Sequence, residues 1–211
     1  DVNGTLLDPR ALTASWDGVP AGLGLSVLDQ TVLQSMVDTI TGEFRPFPDY
    51  IRAALAHRAA LAGLGEEAVQ SGMRAAAALP PYPDADDALS RLRLAGHTPS
   101  ALTNSAAEGA RSALREAGLI HHFHAVMSVE AVRAYKPDRR VYAHALEILG
   151  VAAEDTWFVA GHWWDVTGAK RAGLRTAWIG RDEGLLIDTA PEPDLRAADL
   201  REAAEAIVAA T

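Results

Sequence analysis

Residues 98–104 read Thr98-Pro99-Ser100-Ala101-Leu102-Thr103-Asn104. The run is short, apolar in its middle, and closed by a hydroxyl and an amide. Before it, Asp84 to Ala95 carries a helical pattern that stops at Gly96. After it, Ala106 to Ala117 carries another that stops at Gly118. A glycine just past the last periodic residue is a common helix stop, because it enters the left-handed region without steric cost. Residues 98–103 are therefore expected to form a strand between two helices.

The same unit recurs downstream. His124 to Val129 reads as a strand, and Arg139 to Leu149 as a helix ending at Gly150. Thr156 to Ala160 is the next strand, Val166 to Ala172 a helix ending at Gly173, and Arg175 to Ile179 a further strand. Leu200 to Ala210 closes as a helix. Short buried strands alternating with helices of about ten residues imply a parallel, doubly wound α/β sheet.

Upstream, the pattern is helical throughout. Leu25 to Ile40 places Val27, Leu28, Val32, Leu33, Met36, Val37 and Ile40 on a wide apolar stripe. The stripe could face a core or a second copy of the chain. Gly42, Pro46 and Pro48 interrupt it, Asp49 is expected to cap a helix from Tyr50 to Gly63, and Glu66 to Leu79 follows as a third. The proline-rich residues 80–83 read as a hinge or linker. The expected organisation is an α/β core, 1–11 and 80–211, with a helical cap, 12–79, inserted after the first strand.

Composition limits function. The 211 residues are 49% hydrophobic and 22% charged, with a net charge of −9 and no cysteine. That is an ordinary globular balance. It disfavours a nucleic-acid footprint and excludes disulfides, thiolate metal sites and a cysteine nucleophile. No apolar run is long enough to span a membrane and no signal peptide is visible, so a cytoplasmic protein is expected.

In such sheets the carboxyl ends of the strands build the site. The octapeptide Asp1-Val2-Asn3-Gly4-Thr5-Leu6-Leu7-Asp8 looks like a strand end and a tight turn, so an apolar strand is expected ahead of Asp1. Taken alone, it could equally be a plain turn. Thr103-Asn104, Lys136 in Tyr135-Lys136-Pro137-Asp138, and Asp165 in Ala160-Gly161-His162-Trp163-Trp164-Asp165 follow at successive strand tips.

With an acid, a hydroxyl-amide pair, a lysine and an acid in that order, and a helical segment after the first, the chain resembles the haloacid dehalogenase-like hydrolase superfamily over essentially its whole length. The resemblance implies a Rossmann-like core with an inserted cap. It makes Asp1 the nucleophile, Thr103 the second-motif hydroxyl, Lys136 the third-motif lysine and Asp165 an acid that holds Lys136. Phosphatases of the superfamily carry an acid two residues after the nucleophile and another four before the final aspartate. Here those positions hold Asn3, which cannot relay a proton, and Gly161, which offers magnesium no side-chain ligand.

Both departures point to the type II branch, which acts on L-2-haloacids without a metal. Thr5, Asn104, Tyr142, Trp164 and Phe47 match its substrate- and halide-binding positions. The branch's cap arginine is missing from the matching stretch Val27-Leu28-Asp29-Gln30, and Arg45 is the nearest cap alternative. His162 stands where the branch has asparagine, and could serve as a general base, a donor or a packed histidine. The expected reaction is hydrolysis of a carbon–halogen bond in a short 2-haloacid through an aspartyl ester. A magnesium-dependent phosphatase, a hydrolase of another small electrophile and a non-catalytic homologue stay open. No metal and no cofactor are expected outside the phosphatase reading. The expected partners are a small molecule and, as an option, a second copy of the chain. His121, His122 and His124 are read as a solvated loop, and Asp84, Asp86 and Asp87 as capping and helix-dipole partners.

Overall fold

The computed structural model describes residues 1–210. Eight α-helices and five short strands lie among the described residues. Three helices come first, α1 (Leu23–Thr41), α2 (Phe47–Leu61) and α3 (Glu66–Ala76). They pack α1 on α2 and α2 on α3, with the 3₁₀ turn Pro9–Thr13 against α1 and α3. α1 ends on Gly42, whose φ of 87° lets its N–H reach back to the carbonyls of Asp38 and Thr39. Asp49 does not cap α2. The helix starts earlier, with Pro46 at the N-cap and Pro48 inside the first turn, where proline's fixed φ suits the helix and its missing N–H costs nothing. Asp49 instead lies in that first turn, where its charge faces the positive end of the helix dipole.

The linkers at the foot of this helical segment run side by side. Asp8 N donates to Pro80 O at 2.8 Å, and Tyr82 N donates to Leu6 O at 2.8 Å. Residues 80–83 are thus an ordered, paired crossing and not a loose tether.

The α/β part follows the expected alternation. α4 (Ala85–Leu94), β1 (Ser100–Thr103), α5 (Ala107–Glu116), β2 (Ala125–Ser128) and α6 (Arg139–Leu149) come first. β3 (Trp157–Ala160), α7 (Trp163–Arg171), β4 (Arg175–Ile179), β5 (Leu195–Ala197) and α8 (Leu200–Ala209) complete it. All strand pairs are parallel. β5 was not legible from sequence: it is three residues long and carries Arg196 at its centre. α7 begins three residues earlier than the periodicity suggests, which puts Asp165 in its first turn.

The pairing falls into two groups, β1–β2 and β3–β4–β5. Between β1 and β3 lies a cavity of about 700 Å³. Leu102, Phe158, Leu89, Leu149 and Ile207 are among its mostly apolar lining residues, and Asp1, Thr5 and Leu6 stand at one end. The Asp1 nitrogen donates to Val159 O, in β3, at 3.1 Å.

Helices α4, α5 and α8 share one apolar cluster with Val2, Leu6 and Leu7; α6 and α7 share the other with Met127, Phe158 and Trp178. The sheet is therefore covered on both faces, the condition under which short, wholly apolar parallel strands are stable. In α1 the apolar stripe is divided: Val27, Leu28 and Val32 are buried, while Leu33, Val37 and Ile40 are exposed. Among the described residues no helix is long and apolar enough to cross a membrane.

Candidate active site

The Asp1–Thr5 turn is closed by three amides that converge on Val2 O, from Thr5, Leu6 and Leu7. Gly4 sits at φ 80°, and a Cβ there would lie 2.2 Å from His162 Nε2. Only glycine satisfies both the backbone and the contact. Gly4→Ala is therefore expected to cut turnover at least tenfold, because the turn must shift away from His162. A halide-release assay beside a thermal unfolding curve checks this, and an unchanged rate would mean that the turn's position does not matter.

The turn brings Asp1 against residues from distant tips of the sheet. Thr5 Oγ1 donates to Asp1 Oδ2 at 2.6 Å and accepts from Gly161 N at 2.9 Å, tying the turn to the end of β3. Lys136 Nζ lies 3.0 Å from Asp1 Oδ1 and 2.9 Å from Asp165 Oδ2. The lysine is 1% exposed and Asp165 0%, so neither charge is offset by water and each depends on the other. Tyr142 donates its hydroxyl to Asp165 Oδ1 at 2.5 Å. Burial raises the Tyr142 phenol well above its ordinary range, with the Asp165 charge adding to it, so it stays a donor. Burial also lowers the Lys136 ammonium from its ordinary value, and the Asp165 carboxylate pulls it partly back.

Other expected site residues take distinct places. Thr103 is buried and its Oγ1 accepts from Ser105 N at 3.1 Å. Asn104 Oδ1 accepts from Lys136 N at 3.1 Å, which leaves its Nδ2 without a protein acceptor among the described residues. That N–H₂ is therefore available to an anion. Asn3 Nδ2 donates to Ser105 Oγ at 3.4 Å. Trp164 stacks on His162 with centroids 5.3 Å apart and rings 13° from parallel. Tyr142 is committed to Asp165, and its hydroxyl lies where a Cβ on Gly168 would approach to 2.5 Å. It supports the acid and is not laid open to a substrate. Phe47 is buried beside Tyr135, ring centroids 5.7 Å apart, within an aromatic group that includes Phe44 and Tyr50. Arg45 is mostly exposed and paired through Nε with Asp38 Oδ2 at 3.1 Å, so it does not stand in for the missing arginine.

His162 is 7% exposed, and both of its ring nitrogens are engaged. Nε2 lies 3.3 Å from Asn3 O and Nδ1 lies 3.6 Å from Glu183 Oε1. Sequence reading missed Glu183, which lies outside every motif, and Arg58 of α2, whose buried Nε has no partner.

A hard cation does not fit this donor set. Each oxygen of Asp1 and of Asp165 already accepts from Thr5, Lys136 or Tyr142, and positions 3 and 161 add no carboxylate. Magnesium prefers several free oxygen ligands in octahedral array.

Away from this cluster, His122 departs from the expected solvated loop. It is 4% exposed, and its Nε2 lies 2.8 Å from Asp86 Oδ1, with the His121 ring tilted against it. Asp86 therefore ties α4 to the connector before β2. Asp84 does not cap α4 with its side chain either. Its carboxylate takes both Nη atoms of Arg181, at 3.0 and 2.7 Å, and Leu200 N at 2.7 Å.

A family model for haloacid dehalogenase-like hydrolases matches residues 1–173. An (S)-2-haloacid dehalogenase from Xanthobacter autotrophicus is 33% identical over 187 residues, covering 86% of this chain and 73% of its own. A phosphoserine phosphatase from Thermus thermophilus is 36% identical over 160 residues, 74% of this chain and 64% of its own. Among solved structures, the L-2-haloacid dehalogenase from Xanthobacter autotrophicus with chloropropionic acid covalently bound superposes with a TM-score of 0.86. It is 26% identical, over 98% of this chain and 95% of that one.

Proposed function

The chain belongs to the haloacid dehalogenase-like hydrolases, and from that premise we propose that it is a 2-haloacid dehalogenase working in the cytoplasm without a metal or other cofactor. One observation carries the reading. The Asp1 carboxylate is held between a threonine hydroxyl and a buried lysine, and the residue two places on is an amide that cannot hand over a proton.

A carboxylate nucleophile divides a displacement into two easier steps. An Asp1 oxygen attacks the carbon that bears the halogen. The carbon–halogen bond breaks as the carbon–oxygen bond of an ester forms, and halide leaves with the bonding pair. Water then attacks the ester carbonyl; one of its protons passes to the departing alcohol oxygen and the other to solvent, so that a 2-hydroxy acid leaves and the Asp1 carboxylate is restored. Halide needs no proton to leave, so Asn3 is no handicap. An alkoxide leaving from phosphorus would need one. Lys136 keeps Asp1 ionised, because an opposite charge at hydrogen-bond distance favours the charged form. Asp165, held by Tyr142, keeps Lys136 in place. The free Nδ2 of Asn104 supplies a donor for the departing halide.

The test is halide release from L- and D-2-chloropropionate in EDTA, with a phosphate ester and magnesium in parallel. Release that survives EDTA is the expected result. Phosphate release alone would overturn the reading in favour of the phosphatase chemistry to which the Thermus relative's name points.

A further inference from the structure

Tyr135 immediately precedes Lys136, is 1% exposed and takes no part in the chemistry described above. Its side chain packs with the helical segment α1–α3. Phe44, in the connector between α1 and α2, stacks on its ring with centroids 4.9 Å apart and planes 15° from parallel. From the opening of α2, Tyr50 meets the ring edge-on at 5.5 Å and Phe47 lies tilted at 5.7 Å. Both are favoured aromatic arrangements.

Packing alone would not require the polar contacts that accompany the rings. The Tyr135 hydroxyl donates to Arg45 O at 2.5 Å, and Tyr135 N donates to Thr39 Oγ1 of α1 at 3.0 Å. Burial raises the phenol above its ordinary range, with Tyr50, Glu130, Asp49 and Asp38 adding to it, so the hydroxyl stays a donor. Thr39 gives its own proton to Ser35 O at 2.9 Å, which leaves its oxygen to accept from the amide. The Arg45 peptide is held at its other end too. Its N–H donates to Tyr50 Oη at 3.2 Å, and that hydroxyl donates to Asp38 Oδ2 at 2.7 Å. On the core side, Arg133 is the one non-glycine residue with positive φ, 48°, among the described residues, and its guanidinium lies 5.0 Å from the centre of the Phe44 ring.

The next amide along the chain is held from the opposite side. Lys136 N donates at 3.1 Å to Oδ1 of Asn104, just past β1. Two consecutive peptide N–H groups are thus received by two side chains, one from the helical segment and one from the core. The lysine stem is long and flexible, so the place of its backbone governs where the ammonium can rest. A misplacement of about 1 Å can cost about 10²-fold in rate. We propose that Tyr135 is a positioning residue: locked onto Thr39, Phe44 and Arg45, it makes the seating of the helical segment set the place of Lys136 beside the nucleophile. The effect on turnover rests on the dehalogenase reading; the mechanical coupling does not. The helical segment is then part of the frame that holds the reacting groups, as well as their cover.

The experiment uses the whole chain with Thr39→Val, Thr39→Ser and Tyr135→Phe. It combines amide hydrogen exchange read by NMR, steady-state kinetics on L-2-chloropropionate and urea unfolding. Thr39→Val keeps the side chain's shape and removes the acceptor. Exchange at both Tyr135 and Lys136 amides is expected to quicken at least about tenfold. Its kcat should fall about tenfold with KM within about twofold, since ground-state binding is untouched. Thr39→Ser keeps the acceptor and should stay within about twofold of the parent in both readouts, while Tyr135→Phe should lose about threefold in kcat. A Thr39→Val protein with a lowered unfolding midpoint and unchanged kcat would make the contact merely structural and overturn the proposal. So would faster exchange at Tyr135 with none at Lys136. If Thr39→Val fails to fold, Tyr135→Phe carries the same two readouts. If the parent releases no halide, the dehalogenase reading fails, and the exchange rates alone decide the coupling.

Discussion

Asp1→Asn is expected to lower halide release by at least about 10³-fold, with no ester formed on the chain. The amide oxygen is a poor nucleophile, and the two-step route closes with it. The loss should exceed what altered packing can cause, because the side chain keeps its shape. Only the donor pattern changes: an amide N–H₂ must face either the Lys136 ammonium or the Thr5 hydroxyl where a carboxylate oxygen stood. A single turnover in heavy-oxygen water gives the complementary result in the parent. Water attacks the ester carbonyl, so solvent oxygen should appear in Asp1. If label appeared only in the product acid, water would be attacking carbon directly and the ester route would be lost. An Asp1→Asn protein that kept a tenth of the parent rate would remove Asp1 from the chemistry altogether.

Lys136→Met is expected to abolish turnover and to destabilise the fold by about 3–5 kcal/mol, the usual cost of leaving a buried charge without its partner. The variant leaves Asp1 and Asp165 facing a methionine. One of them must take up a proton, and a protonated Asp1 cannot attack. Urea unfolding measures the stability, and Lys136→Met/Asp165→Asn separates the two effects. The double variant should regain much of the stability and none of the activity. If it regained both, the lysine would have been a structural counter-ion only.

The Lys136 ammonium also sets an alkaline limit. Burial lowers its pKa, so the charge is present at low pH and is lost on raising pH before an ordinary lysine, near 10.4, would lose it. The alkaline limb of kcat/KM is therefore expected below that value. Over the same window the unfolded chain still holds its proton while the native chain has released it. Lys136 linkage then raises global stability with pH. Loss of activity there, with no fall in the unfolding midpoint, is the signature to look for in paired activity and unfolding profiles. A limb at the ordinary lysine value would disconnect Lys136 from it.

Much of the fold was legible because its signals are local. Gly96, Gly118, Gly150 and Gly173 end helices or lie at most two residues past them, and the apolar runs between give four of the five strands. β5 escaped because three residues centred on an arginine have no period to read. The start of α7 escaped because Trp163 and Trp164 disguised its first turn as a strand-tip loop. Asp1, Lys136 and Asp165 were legible as residue types at strand ends, which is a matter of order along the chain. Their mutual distances were not, because 135 residues separate Asp1 from Lys136 and only the sheet returns one to the other.

By itself, the sequence determined the alternation of strands and helices, the chemical order of the strand tips and the exchange of a proton-relaying acid for Asn3. These depend on residue type and near-neighbour spacing. Tertiary structure alone decided what each side chain is committed to. It made Tyr142 a support for Asp165, held Arg45 on Asp38, drew His122 out of solvent onto Asp86 and placed Glu183 against His162. A hydrogen-bonding group can be satisfied by any partner that packing brings within about 3 Å. Which partner that is depends on how distant segments meet, and no local pattern records it.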